Sequence, residues 1–211
     1  MSVVGIVPAG GSGERLGADR PKAFVVCAGR PLVEWSLDVL RSVCDRVVIA
    51  APHGYHDAPD HVLGGESRSA SVRNALEAAP EATVVVVHDA ARPLVTRDLV
   101  ERCVAALEPG IDAAIAAVPM TDTVKETAND RRVVRTLDRS SLWSIQTPQV
   151  FRADVLRRAL KRDAAALAAA TDDAMLVEEA GGVVHVVEAP PENIKVTRAS
   201  DLKIVEALLA D

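Results

Sequence analysis

A short apolar stretch, Val3 to Val7, runs straight into Pro8-Ala9-Gly10-Gly11-Ser12-Gly13-Glu14-Arg15, with Gly17, Arg20, Pro21 and Lys22 close behind. Glycines at 10, 11 and 13 can take backbone angles closed to other residues and let a ligand approach the main chain, so successive amides can point at anionic oxygens. Arg15 and Lys22 add side-chain charge beside them. That combination suits a polyphosphate whose charge must be neutralised while one phosphorus reacts. Two familiar glycine motifs do not fit. The dinucleotide fingerprint wants Gly-x-Gly-x-x-Gly, and after Gly11-x-Gly13 the next glycine, Gly17, comes one residue too late. Ala50-Ala51-Pro52 also stands where an NAD-linked oxidoreductase would carry its ribose-binding acid. The Gly-Lys-Ser/Thr of ATPase phosphate loops is absent. Taken alone, the loop also fits a plain strand-to-helix turn with solvated charges.

A second polar group, His88-Asp89-Ala90-Ala91-Arg92-Pro93, follows a run of valines. In open parallel sheets ligands collect beyond the carboxyl ends of strands, which puts this segment beside the glycine loop. Asp89 is placed there to hold a divalent cation next to phosphates, since Mg²⁺ takes one or two carboxylates and fills its shell with water or phosphate oxygens. Its plainer role is a turn cap. The planar fork of Arg92 suits bidentate phosphate binding, or a surface charge. Asp122-Thr123-Val124-Lys125, Asp138-Arg139 and Asn193-Ile194-Lys195-Val196-Thr197 join polar groups to turns, and Lys195 alone reads as an edge-strand gatekeeper. His53, His56 and His61 with Asp57 and Asp60 have the composition of metal ligands without zincin spacing, so a solvated loop is expected. Cys27, Cys44 and Cys103 include no Cys-x-x-Cys pair and read as buried free thiols of a reducing cytoplasm.

The elements that must position these residues alternate between strand and helix, the pattern of an α/β, Rossmann-like and mainly parallel sheet covered on both faces. Strands are expected at Val3 to Val7, Val47 to Ala51, Thr83 to Val87 and Ala113 to Val118, the four consecutive valines of the third marking the sheet centre. Between them lie a helix opening at Pro31 with Leu32, Trp35, Val39, Leu40 and Val43 on one face, and one over Ser69 to Ala79. A further helix carries Leu99, Val100, Cys103, Val104 and Leu107, with Thr96 as its N-cap. Thr123 to Thr127 and Val133 to Leu137, joined by Ala128-Asn129-Asp130-Arg131, break the alternation and read as an inserted hairpin. Helices near Ala153 to Ala169 and Asp172 to Ala180, strands at Val183 to Val187 and Asn193 to Val196, and a helix capped by Ser200 with Leu202, Val205, Leu208 and Leu209 complete the chain.

The 211 residues suit one domain able to bury about 70% of its unfolded surface. With 49% hydrophobic but only 2% aromatic residues, the core rests on Val, Leu, Ile and Ala, which argues against aromatic stacking on nucleic acid. The net charge of −6 repels a phosphate backbone, so an anionic ligand must be small and met by a local cationic pocket. No stretch reaches the roughly 18 apolar residues of a membrane span, and the N-terminus has no signal-like segment, so a cytoplasmic protein without membrane or nucleic-acid partners is expected.

Taken together, the first loop with Pro21-Lys22, Gly64-Gly65-Glu66-Ser67-Arg68-Ser69-Ala70-Ser71-Val72, His88 to Pro93, Asp122-Thr123, Leu137-Asp138-Arg139 with Trp143, Thr147-Pro148-Gln149, Thr171-Asp172 and Asn193 to Thr197 resemble the 2-C-methyl-D-erythritol 4-phosphate cytidylyltransferases of the non-mevalonate isoprenoid pathway. The sequence departs slightly from that family, with Pro-Ala-Gly-Gly for Pro-Ala-Ala-Gly and Asp172-Asp173 for Asp-Glu. The resemblance implies a nucleotidyltransferase domain over 1–211 with a β-arm at about 119–142 that reaches across a homodimer. It implies CTP as donor, held by Pro8, Ala9, Gly10, Gly11, Ser12, Gly13, Gly65, Glu66, Ser71 and Ala90, with main-chain groups of Ala9, Gly65 and Glu66 and the Ser71 hydroxyl reading cytosine. A methylerythritol phosphate is the implied acceptor, met by Asp89, Arg92, Thr123, Arg139, Thr147 and Lys195. Arg15, Lys22, Arg139 and Lys195 are the implied catalytic cations, and Mg²⁺ or another divalent ion on Asp89 the cofactor. An acceptor phosphate oxygen would attack the α-phosphorus in line and expel pyrophosphate. Ribitol 5-phosphate cytidylyltransferases share the loop and are the nearest rival. Guanylyltransferases of molybdenum cofactor synthesis resemble the first loop alone, and a non-catalytic nucleotide sensor is the alternative of another class.

Overall fold

The computed structural model describes residues 1–17 and 19–210. The chain opens with β1 (Val3–Pro8), a small two-stranded sheet of β2 (Val26–Cys27) and β3 (Arg30–Pro31), α1 (Leu32–Val43), β4 (Arg46–Ala51), β5 (His61–Leu63), α2 (Arg68–Glu77) and β6 (Val84–Val87). It continues through α3 (Arg97–Ala105), β7 (Ala113–Pro119), the hairpin strands β8 (Lys125–Thr127) and β9 (Val133–Thr136), and β10 (Trp143–Arg152). Helices α4 (Ala153–Ala159), α5 (Ala164–Ala169) and α6 (Asp173–Glu179), strand β11 (Val184–Glu188) and α7 (Ala199–Ala210) end it.

Seven strands form one sheet in the order β11-β7-β10-β6-β1-β4-β5. All neighbours run parallel except β10, which is antiparallel to both β6 and β7. Because successive side chains point to opposite faces, the valines of β6 divide: Val84 and Val86 join the layer under α1 and α3, while Val85 and Val87 join the layer under α2, α4, α5 and α6. The expected α/β architecture, its valine-rich central strand and its helix-covered faces are all present. Leu, Val, Ile and Ala supply nearly all of the core, with Phe151 as its largest fully buried side chain. A third cluster joins Cys27, Leu32, Val196 and Val205, so α7 pins the segment around residue 195 beside the sheet's carboxyl edge. All three cysteines are free and buried, and burial pushes their thiols up to about 11 for Cys27 and about 12 for Cys44 and Cys103.

Several expectations need correction. Strand β10 is unanticipated: its Gln146, Thr147, Pro148 and Gln149 lack a strand's alternation, and the pairing with β7 shifts register between Ile145 and Gln149, where Pro148 has no N–H to offer. The helical stretch Ala153 to Ala169 is two helices, the second capped by the Asp163 carboxylate, which accepts from Ala166 N at 2.8 Å. Asn193 to Val196 is not a strand; Val196 N donates to Ala91 O at 2.8 Å and Asn193 Nδ2 to Gln146 Oε1 at 2.7 Å. Ser200 does not cap α7, since the Asp201 carboxylate accepts from Thr197 N and Arg198 N at 2.8 Å each, and Leu208 faces outward. In α1 the fully buried line is Leu32, Val33, Leu37 and Leu40, with Trp35, Val39 and Val43 only partly covered. Thr96 caps α3 as expected, accepting from Leu99 N at 3.2 Å. The inserted hairpin is present, both its strands exposed. Among the described residues no helix is long and apolar enough to cross a membrane.

Candidate active site

The loop after β1 closes on itself. Lys22 N donates to Gly11 O at 2.9 Å and Leu16 N to Gly13 O at 2.8 Å, so Lys22 returns beside the glycines 11 residues after Gly11. Gly13 makes this return possible: its φ is +78°, and a Cβ there would meet Arg20 O at 3.0 Å. Together with the residues after β5 and β6 and the segment ahead of α7, the loop walls a cleft of about 250 Å³. Pro8, Ala9, Gly10, Gly11 and Lys22 line one side, Gly65, Glu66, Ser67, Arg68 and Ser71 another, and Asp89, Ala90, Ala91 and Lys195 the floor and far wall. Ser12 and Gly13 do not line it. Arg15 sits exposed on a 3₁₀ turn, outside the wall but close enough that its charge, after burial and Lys195, helps push the Lys22 ammonium below its ordinary value.

Opposite the loop, Gly65 packs so tightly that a Cβ would lie 2.6 Å from Ala70 Cβ. Its N–H donates to Ser71 Oγ at 3.0 Å, and that hydroxyl donates to Ser67 O at 2.9 Å. Ala9 N in turn donates to Ala50 O at 2.8 Å. The expected reading of cytosine through these groups narrows accordingly: two amides are already bonded, and the carbonyl oxygens of Ala9 and Gly65 and the second lone pair of Ser71 Oγ remain as acceptors.

Asp89 stands at the centre of a charge cluster. Its Oδ1 accepts from Arg68 Nε at 3.1 Å, its Oδ2 pairs with Lys195 Nζ at 2.6 Å, and Arg92 Nε lies 4.0 Å from the same Oδ2. Burial opposes its charge, but Arg68, Lys195 and Arg92 outweigh burial and hold the carboxyl well below the usual range. Arg68 also bridges to the fully buried Asp173 at the start of α6. Asp173 and Asp89 together outweigh burial and hold the guanidinium charged. Arg92 does not open onto the cleft: it is buried behind Asp89, its Nη1 donating to Asn193 O at 2.7 Å. Thr147 is also buried, its Oγ1 accepting from Asp89 N at 3.0 Å. His88, fully buried, has Nε2 3.1 Å from Arg92 O, and burial pushes it down to about 4. Thr123 and Arg139 lie exposed on the arm, away from this chain's own cleft, with Arg139 Nη1 donating to Thr121 O. Glu192 is exposed and outside the wall.

This donor set does not fit a divalent ion held by the protein. Among the described residues no three His, Cys, Asp or Glu gather to hold a metal, and of the two acidic residues that line the cleft, Glu66 and Asp89, the second is surrounded by three cations. Where a metal ligand was expected, Asp89 has one oxygen engaged by Arg68 and the other by Lys195. The His53, His56 and His61 loop likewise gathers no metal set; His53 and His56 pack edge to face and His61 Nδ1 lies 3.0 Å from Pro59 O.

Sequence reasoning passed over Arg68 and Asp173. One signal was readable: Arg68 opens α2, where the helix dipole disfavours a cation, so it calls for an acidic partner.

The family model for 2-C-methyl-D-erythritol 4-phosphate cytidylyltransferase, IspD, matches residues 3–211. The chain belongs to that family. As an IspD family member it is a nucleotidyltransferase. The IspD enzyme of Frankia casuarinae is 45% identical over 99% of this chain and 81% of its own length. That of Saccharopolyspora erythraea is 44% identical over 100% of both. The crystal structure of the Thermus thermophilus enzyme superposes with a TM-score of 0.85 at 36% identity, covering 100% of each chain.

Proposed function

We propose that residues 1–211, acting as one nucleotidyltransferase domain with its arm at about 119–142, move CMP from CTP to 2-C-methyl-D-erythritol 4-phosphate and release pyrophosphate. The observation that carries this is the convergence of Lys22, Lys195 and the glycine-loop backbone on one cleft with Asp89 at its floor. A phosphate oxygen of the acceptor attacks the α-phosphorus, the bond from that phosphorus to the bridging β-phosphate oxygen breaks opposite it, and no covalent enzyme intermediate is needed. The obstacle is electrostatic, because a dianion must reach a tetra-anion. Lys195 and Arg15 repel the Lys22 ammonium before a ligand arrives, so a triphosphate between Lys22 and Arg15 relieves that repulsion while the two stabilise charge growing on the α-phosphoryl and the leaving group, and Lys195 with Arg139 holds the acceptor phosphate for attack. The carbonyl acceptors at Ala9 and Gly65 favour the exocyclic amino group of cytosine over the carbonyl that uracil carries at the same position. A divalent ion such as Mg²⁺ belongs to the triphosphate's own oxygens in this reading, with no carboxylate of the chain as its ligand.

The arm carries the second part of the reading. Two-stranded hairpins are marginal alone, and this one exposes Val133 and Val134 at 54% and 59%. A second copy of the chain covers it, bringing Thr123 and Arg139 to the neighbour's acceptor. The buried free thiols support a cytoplasmic location. Pyrophosphate release with CTP and methylerythritol phosphate tests the whole, with UTP, ATP and GTP as donor controls and ribitol 5-phosphate as acceptor control. Turnover with ribitol 5-phosphate in place of methylerythritol phosphate would install the rival, and CTP binding without release would mean a sensor.

A further inference from the structure

Lys195, the cation assigned to the acceptor phosphate, is engaged elsewhere: its Nζ sits 2.6 Å from Asp89 Oδ2. To hold a phosphate it must leave, and a buried carboxylate stripped of its partner is costly. Two features of the cluster answer that cost. Arg68 Nε holds the other oxygen, Oδ1, and is itself fixed by the fully buried Asp173. Arg92 Nε is buried with no hydrogen-bond partner among the described residues and lies 4.0 Å from the very oxygen that Lys195 occupies, about 1 Å beyond bonding distance.

We propose that Arg68, anchored on Asp173, is a positioning residue that keeps Asp89 in place and compensated while Lys195 transfers to the acceptor phosphate and Arg92 takes over the vacated oxygen. The proposal rests on the reading that Lys195 binds that phosphate. Asp89 stands in for the phosphate until it arrives, holding the ammonium at the cleft. Without Arg68, a single cation at 4.0 Å remains for Asp89 once Lys195 departs, so the carboxylate competes harder for the lysine and acceptor binding weakens. Donor binding, which does not require the exchange, is spared.

Steady-state pyrophosphate release, with acceptor varied at saturating CTP and then CTP varied at saturating acceptor, tests this in Lys195→Gln, Arg68→Gln and the double variant. Lys195→Gln raises the acceptor KM; an unchanged value overturns the reading of Lys195 and the proposal with it. Given that rise, Arg68→Gln raises the acceptor KM about tenfold with the CTP KM within about twofold, and the double variant matches Lys195→Gln within about twofold, because Arg68 acts only through the lysine. Losses that multiply in the double variant, or a rise shared equally by both KM values, overturn the positioning role and leave the reading of Lys195 standing. Arg68→Lys restores most of the acceptor KM. If Arg68→Gln strands Asp173 and fails to fold, Arg68→Gln with Asp173→Asn removes both charges and carries the same comparison.

Discussion

Lowering the pH should destabilise this protein through His88, well above the range in which the paired carboxylate of Asp89 titrates. The imidazole is fully buried and burial pushes it down to about 4, whereas the unfolded chain returns it to about 6.5. Between those values the unfolded state binds the extra proton, so stability rises with pH across the window, is complete above about 6.5 and is lost as pH falls toward 4. A displacement of about 2.5 units is worth about 3 kcal/mol, a large part of a typical domain's stability. Asp89 shifts the opposite way from its reference and surrenders its contribution only below the ordinary carboxylate value, so the two effects separate along the pH axis. Urea denaturation at pH steps from 8 to about 4.5 measures it, with His88→Gln as comparison, since a glutamine amide can donate to Arg92 O and carries no titrating proton. Parent stability should fall by about 3 kcal/mol over that range beyond any fall in His88→Gln. Identical pH slopes in the two proteins would refute the argument that burial holds His88 neutral.

Other predictions follow from the cleft and the arm. Lys22→Ala and Arg15→Ala each lower kcat by about 10³-fold or more with an unchanged melting midpoint, and near-parental turnover in either withdraws that cation from the chemistry. Gly65→Ala drives a methyl into Ala70, 2.6 Å away, so calorimetry should find CTP binding lost and denaturation a cost of about 1 to 3 kcal/mol; parental CTP affinity would mean that this wall does not touch the base. Val133→Asp with Val134→Asp should yield monomers by sedimentation and abolish turnover without altering CTP binding, whereas an active monomer would remove the arm from the acceptor site.

What could be read from the sequence was whatever repeats locally. The valines of β6 declare a strand buried on both faces, and Thr96 declares the start of α3, because burial and capping leave periodic or adjacent marks. The glycine loop and its Lys22 were legible for the same reason. Strand β10 was not, since its place is set by partners 24 to 68 residues earlier in the chain and its middle carries Pro148 and three polar residues turned to other work. Arg68, Asp173 and the burial of Arg92 depend on one contact apiece across 21, 105 and 101 residues, and no spacing rule spans such distances. The same holds for Asp201 replacing Ser200 at the start of α7, where one carboxylate satisfies two amides at once.

The placement of β10 also dictates an order of assembly. Among the described residues strand β7 has only β10 and β11 as neighbours, and β10 alone joins those two to the β6-β1-β4-β5 half. As the chain leaves the ribosome, the apolar run Ala113 to Val118 therefore waits without a neighbouring strand until residue 152 has emerged, a window in which a chaperone or an aggregating neighbour meets an open edge.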